Sequence, residues 1–554
     1  MLSRWMCIVT LILMCLQILL AGAMLAPTLG ALHAAWLVQD RLVLRLSEVA
    51  YRRWPFGWQR GMRRPRSRGA KRKPRAWPVA DPSALLEPLL EMELEVQEVA
   101  GWEEELAAYN TAYEPLFGRR EQREWGALYL QGLLLNIPNK SIEALMLALV
   151  GADTNAIRAM QHFIGAGAWA DATLLRQHWS QVDQMLGDRQ GVYILDGSEF
   201  LKQGQESVGV KRQRCGEVGK VANCQAGVFL GYASSHGYTL LDRRLYLPRE
   251  WVEADSHAER RETCGVPEDI TFQTKAQLGR EMLQTVRQTD TLRGRWLTCD
   301  EAFGRDTAFL DGVAQQGLCY FAEVPHDTRA WRQRPATAVP AWSGRGRQPK
   351  HARLVAGEPE PQDVVTIAQS LPAAKWSRHT IKQGSKGPIV ADFAALPVVT
   401  VRDGLPGPQV WLVLRRHLKT QELKTYLCNA PANTPFVTLV RLSGQRWPIE
   451  RCFEESKQHL GMRDYQVRSW HGWHHHMTLC ILAHFFLMQL KRRLKPRAPA
   501  LTLPQLHLLI AAVLPQRSFD AQWALEVVTY RQKRNHAAYL SHCRRRLALL
   551  NHLE

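Results

Sequence analysis

An α/β fold, preceded by an all-helical region and followed by a helical basic tail, is predicted by three features of the sequence. Short apolar runs such as VYILD (192–196), WLTCD (296–300) and LCYFAEV (318–324) read as buried strands, because strands covered on both faces are continuously apolar. Helical periodicity lies between them in QTKAQLGREMLQTVRQ (273–288) and DTAFLDGVAQQG. On either side, residues 83–190 and 491–554 show helical spacing with few strand signals.

In chain order, residues 84–115 are helix-like and partly acidic, and Arg119 to Arg123 with Trp125 open a second helical stretch. NIPNKSIEALMLALVG, AIRAMQHFIGAGAW and ATLLRQHWSQVDQML complete a helical unit over 83–190, whose interspersed cations suit a DNA-binding module. Three meandering strands follow: VYILD, NCQAGVFLGYAS (223–234) and LDRRLYL (241–247). Then come a helix, the strand WLTCD, another helix and the strand LCYFAEV, the order of a ribonuclease-H-like core whose first part spans 191–325. Residues 326–440 read as an inserted β-rich subdomain with a basic loop at 326–352 and strand-like runs PIVADF, PVVTVR, QVWLVLRRHL and KTYLCNA. The core returns over 441–490 with an acidic helix.

Composition bounds the partners. The chain has 554 residues, 46% hydrophobic and 22% charged, with a net charge of +19. Residues 1–80 hold fourteen Lys and Arg against Asp40 and Glu48, so most of the excess is local. The uncharged apolar run at 5–26, within segment 1–40, is long enough to span a bilayer. It is open to reading as a membrane span, a signal peptide, a buried helix or sequence upstream of the true start near Met62 or Met92. The basic linker 41–82 suits either anionic lipid or DNA phosphates. Eleven scattered cysteines without a C-x-x-C pair fit a reducing cytoplasm, with the protein at the nucleoid. No Walker or dinucleotide glycine loop is present, which excludes those nucleotide-binding classes.

Three acids carry the chemistry. Asp196 and Asp300 end apolar strands, and Glu450 lies in RWPIERCFEESKQHLG, where Arg446, Glu450, Glu454 and Lys457 share a helix face. A lone aspartate at a strand end is usually a cap or turn residue, and a lone helix glutamate a surface charge. Together they suit two-metal phosphodiester chemistry, because Mg²⁺ takes hard oxygen ligands and keeps room for phosphate. Glu454 and Glu455 compete for the third place by spacing alone. HGWHHH (471–476) reads as capping or flanking a packed helix, with zinc as the alternative. Trp296, Trp447, Trp470 and Trp473 read as core, with base stacking as the alternative.

The blocks VYILDGSEFLKQG, SVGVKRQRCGEVGKVANCQAGVFLGYAS, DRRLYLPREW, TCDEAFGRDTAFLDG, RWPIERCFEESKQHLG and YQVRSWHGWHHHMTL resemble the insertion-sequence DDE transposases of the seven-hundred-one group, related to the insertion-sequence-four branch. The resemblance covers roughly residues 119–545 and selects Glu450 through the RW-x-IE match. It implies a ribonuclease-H-like core with a β-rich insertion, two Mg²⁺ ions (Mn²⁺ as a substitute) held by Asp196, Asp300 and Glu450, and double-stranded DNA as partner. Such enzymes cut at terminal inverted repeats and join the ends to target DNA, and a homodimer on DNA follows from handling two ends. Arg446 and Lys457 match the Arg and Lys of the branch's Tyr, Arg, Glu, Lys signature and are expected to hold phosphates, with Lys202, Lys211 and Arg212 adding DNA contacts. Two positions depart: Ser443 stands where the signature has Tyr, and Gly197 where an acid often follows the first aspartate. The alternative is therefore an inactive relic that binds only DNA or, through 5–26, a membrane.

Overall fold

A computed structural model describes residues 93–342, 347–384 and 387–551, all within one compact unit. The expectations for 5–26 and for the basic linker fall outside these residues. Among the described residues no helix is long and apolar enough to cross a membrane.

Six helices lead: α1 (Val96–Ala100), α2 (Trp102–Thr111), α3 (Arg120–Leu134), α4 (Ile142–Leu149), α5 (Thr154–Gly165) and α6 (Asp171–Leu186). Strands β1 (Val192–Leu201), β2 (Lys211–Cys215), β3 (Lys220–Ser234) and β4 (Gly237–Tyr246) follow, then the short α7 (Arg249–Glu253) and α8 (Ala258–Thr263). Next come α9 (Lys275–Gln288), β5 (Trp296–Cys299), α10 (Glu301–Gly304), α11 (Thr307–Gln315) and β6 (Cys319–Val324). The inserted segment adds β7 (Arg329–Trp331), β8 (Thr337–Ala338), β9 (Arg353–Leu354), β10 (Gln362–Asp363), α12 (Val364–Gln369), β11 (Ser377–Gly384), β12 (Gly387–Arg402), β13 (Leu405–His417) and β14 (Leu423–Cys428). Helices α13 (Phe436–Leu442), α14 (Trp447–His459), α15 (Trp470–Leu494), α16 (Leu503–Val513) and α17 (Ala521–Asn551) close the chain.

The main sheet runs β10-β7-β12-β13-β14-β6-β5-β1-β3-β2, with β4 on β3 and β11 on β12. β1, β5 and β6 are parallel, and β3 is antiparallel to β1. The insertion is therefore not a separate β subdomain. Its last strand β14 pairs with β6 from Thr425↔Val324 to Cys428↔Phe321, so the inserted strands extend the core sheet. An edge strand with free N–H and C=O groups is a template for further pairing, and the returning chain uses it.

Two runs expected as separate strands, PIVADF and PVVTVR, form the single strand β12. Pro397 divides them in sequence but is tolerated, because it faces Trp411 of β13 and falls between the stretches paired to β11 and β7 on the other edge. A proline without an N–H costs no ladder bond there. β2 was not expected: KRQRC has too few apolar residues to signal a strand, and its partner β3 supplies the order.

The leading helices are not independent of the core either. Tyr109 donates to the Leu482 carbonyl of α15 at 3.0 Å, Trp179 donates from Nε1 to the Leu241 carbonyl of β4 at 2.9 Å, and Tyr129 Oη lies 2.8 Å from His476 Nδ1. α15 is buried on all sides from Gly472 to Met488, as an all-round apolar helix must be. HGWHHH correspondingly lies inside the first turns of α15, with His474, His475 and His476 buried in the packing. α17 is basic as expected of the tail, and past Tyr530 nearly all of its described side chains are exposed.

Helices cover both faces of the core sheet. A side chain built at Gly279 of α9 would strike Leu195, whereas one at Gly231 of β3 would meet Ile449 of α14. Successive strand residues face opposite ways, so Asp196, next to Leu195, faces the side covered by α14.

Candidate active site

Asp196 does not end its strand. β1 continues to Leu201 because β3 pairs with it over all ten residues, whereas the parallel neighbour β5 reaches only Leu195↔Cys299. Asp196 is the first residue of β1 to lose that neighbour, which opens a gap for its carboxylate. Asp300 is the next residue of the adjacent chain. There it caps α10, its Oδ1 accepting from the backbone N–H of Ala302 at 3.0 Å and of Phe303 at 3.4 Å. The ordinary capping role and a place in the site thus coexist in one residue.

α10 is held tightly against β6. A Cβ at Gly304 would come 1.9 Å from the Glu323 carbonyl oxygen, a backbone atom that cannot swing aside. Gly304→Ala is expected to destabilise the protein by about 1–3 kcal/mol in urea denaturation. An unchanged midpoint would mean that α10 is free to shift and that Asp300 is less firmly placed.

Glu450 lies in the first turn of α14, whose Pro448 at the helix start loses no hydrogen bond. Arg446, the N-cap residue, joins the acids: Nη1 lies 2.7 Å from Asp196 Oδ2 and Nη2 2.5 Å from Glu450 Oε1. Residues 250 positions apart thereby share one guanidinium. Glu454 and Glu455 point elsewhere. Glu454 is half-exposed and pairs with Arg451, whereas Glu455 is buried against Arg451, His484 Nε2 at 3.0 Å and the Tyr238 hydroxyl. Glu455 is thus a core anchor of α14.

Burial pushes the Asp196 carboxyl up to about 7; the Arg446 guanidinium opposes this, and the charges of Asp300 and Glu450 add to it. Asp300 is raised for the same first reason, again opposed by Arg446. The pocket thus concentrates negative charge that one guanidinium only partly offsets, and its donors are hard oxygens of the kind that take Mg²⁺. These residues fit a divalent cation site. Among the described residues no group of three or more His, Cys, Asp or Glu side chains is set to hold one ion, so neither the acids as placed nor HGWHHH forms a closed single-metal cage.

The expected DNA-contacting cations are placed unevenly. Lys457, on α14, donates to the Glu199 carbonyl at 2.8 Å and pairs with Glu217. Lys202 donates to the Tyr465 carbonyl and lies over that ring at 3.2 Å; burial brings its ammonium down to about 7. Lys211 is paired with Glu250, and Arg212 is exposed on β2. Of the four tryptophans, Trp296 and Trp473 are fully buried, whereas Trp447 is 46% exposed beside Arg446.

A cleft of about 660 Å³ opens next to the acids, lined by Arg446, Glu450 and Trp447 together with Lys382, Arg415 and Lys424 of the insertion. Lys382 stacks on Trp447 at 3.7 Å from the ring centre. The sequence reading missed the insertion's cations because only strand pairing brings them to the acids. Ser443 also lines the cleft, its hydroxyl donating to the Val440 carbonyl. At Gly197 an added Cβ would meet nothing closer than 3.8 Å, so the position has room for a side chain.

No curated protein matches this chain. A family model described as DDE superfamily endonuclease matches residues 112–388. That stretch is half of the chain and contains both aspartates, and with the acid-lined pocket beside a cationic cleft it leads to one conclusion: the chain belongs to the DDE superfamily of endonucleases.

Proposed function

We propose that this endonuclease is an insertion-sequence transposase that cuts DNA at terminal inverted repeats and joins the freed ends to target DNA. The observation that carries this reading is the Arg446 bridge, which gathers Asp196 and Glu450 around one positive charge next to Asp300. The strand order β4-β3-β1-β5-β6, with β1 between an antiparallel and a parallel neighbour, supports a ribonuclease-H-like core.

Asp196, Asp300 and Glu450 would hold a pair of Mg²⁺ ions, with Mn²⁺ as a substitute. Such a pair supplies activation of the attacking oxygen and stabilisation of the leaving oxygen in an in-line displacement. Arg446 exchanges its carboxylate partners for the phosphate of the bound strand, which its planar fork can hold bidentately. Lys382, Arg415 and Lys424 draw the DNA backbone into the cleft, and Lys457 and the exposed Arg212 extend that track along β1 and β2. Lys202 keeps its place on Tyr465.

The test uses the full-length protein, Mg²⁺ and a duplex carrying the DNA that flanks the gene. Strand cleavage is expected, with Glu450→Gln slowing it about 10³-fold, the equivalent of several kcal/mol of lost ligation, while DNA affinity stays within about twofold. Glu454→Gln should cleave normally. Cleavage that survives Glu450→Gln, or that fails equally in every variant including the parent, counts against the reading; the latter outcome supports a relic that binds without cutting.

A further inference from the structure

The parallel pairing of β1, β5 and β6 ends in register. Their last paired row is Leu195, Cys299 and Ala322. The next residue on each chain is acidic: Asp196, Asp300 and Glu323. Glu323 was absent from the sequence reading, because LCYFAEV ends in Val324 and carries its acid one residue earlier, whereas VYILD and WLTCD carry theirs at the end. Its side chain is only 12% exposed, it lines the same cleft as Arg446 and Glu450, and its charge acts on both Asp300 and Arg446.

Its hydrogen-bond partner is Lys424 of β14, whose Nζ lies 2.8 Å from Glu323 Oε1. Lys424 stands two residues from Tyr426, the residue opposite Glu323, so the pair is a diagonal link across the seam where the insertion joins the core. An ion pair removed from water is a weak way to clamp two strands, since desolvation offsets much of its attraction. The neighbouring Leu427↔Ala322 contact clamps the same seam without that cost.

We propose that Glu323 is a fourth carboxylate of the catalytic centre, sharing a divalent cation with Asp300, and that Lys424 is the counter-ion that holds it while the cation is absent. The proposal rests on the reading of Asp196, Asp300 and Glu450 as cation ligands. It ties the insertion to the chemistry, because the strand that brings Lys424 also decides whether Glu323 is free to ligate. Lys424 faces the cleft, so a DNA phosphate that engages it releases Glu323 as substrate arrives.

Mn²⁺ binding to the full-length protein without DNA, measured by calorimetry and by the electron paramagnetic resonance signal of free Mn²⁺, tests this directly. Glu323→Gln should weaken Mn²⁺ binding about tenfold or more, and Lys424→Met should strengthen it severalfold by removing the competing cation. Glu422→Gln, on the exposed turn before β14, should change nothing. Opposite shifts in the two variants are not produced by a strand clamp, which would lower the melting temperature in both and leave affinity alone. That clamp result overturns the proposal. Should Glu323→Gln fail to fold, Lys424→Met carries the test by itself, because Glu323 is retained. Asp196→Asn and Asp300→Asn separate the two levels: if neither weakens Mn²⁺ binding, the ligand reading fails; if both do and Glu323→Gln does not, only Glu323's part is wrong.

Discussion

Asp196→Asn is expected to abolish strand cleavage and, in cation-free buffer, to make the protein more stable. In the folded chain the carboxyl titrates at about 7 instead of 3.8. Its stabilising contribution is fully present below the unfolded value and is lost as pH rises through about 7. At pH 8 the ionised group therefore costs up to about 4 kcal/mol, at about 1.4 kcal/mol per pKa unit. Asparagine keeps the shape and removes the charge, but it takes from Arg446 a charged partner at 2.7 Å. The folded value of about 7 already includes the opposing pull of Arg446, so the net gain is up to about 4 kcal/mol. Thermal melting at pH 8 in chelator should show a higher midpoint for the variant, and the difference should vanish near pH 4. A lower midpoint at pH 8 would mean that the Arg446 bond outweighs burial, and that the acids are a structural ion-pair network.

Acid should weaken the fold sharply by pH 5, above the range in which ordinary carboxylates protonate. Burial brings His178 down to about 4 and His476 and His507 down to about 3. Each is neutral for a visible reason. His178 has Nε2 2.8 Å from the Leu240 carbonyl while its buried Nδ1 has no partner. His476 feels the Lys202 charge, and His507 Nε2 lies 3.3 Å from the Lys140 ammonium. His475 differs: burial lowers it too, but both of its nitrogens face carbonyl oxygens, of Ile164 and Trp169, and those acceptors favour the charged ring.

A histidine whose folded pKa is depressed lends stability above about 6.5 that is lost as pH falls toward the folded value. At pH 5 the three together lose about 6 kcal/mol, while Asp196 regains about 3 kcal/mol as it protonates. The histidines win, and a net loss of about 3 kcal/mol is a large part of the 5–15 kcal/mol typical of folded proteins. Far-ultraviolet circular dichroism across pH 7 to 3 reads this out. Asp196→Asn starts more stable at pH 8 and converges on the parent as Asp196 protonates, so its transition should fall at the same pH or slightly lower. A transition in both proteins only below pH 4 would show that these histidines are hydrated.

The parts of the fold legible in the sequence were those with local causes. The apolar runs at 192–196, 296–299 and 319–324 became β1, β5 and β6, and the spacing over 273–288 became α9 from Lys275 onward. β2 and the unity of β12 were not legible, since a partner strand and an empty sheet edge decided them. In the site, acids of different strands could be suspected one at a time, but Arg446 as their common partner depends on a helix folded back from 250 residues away. Glu323 shows the same limit: it lies one residue before the end of its apolar run, and only the shared register sets it in the row of the aspartates.

By itself the sequence determined the type of each core element and the chemical character of its acids, because hydrophobic periodicity and side-chain type are properties of neighbouring residues. Only the tertiary structure decided that the insertion extends the core sheet, that Glu455 anchors α14 while Glu450 shares Arg446 with Asp196, and that Lys424 meets Glu323. Those outcomes depend on which backbone edges remain unpaired and which charges are driven together out of water, and neither is set until distant segments pack.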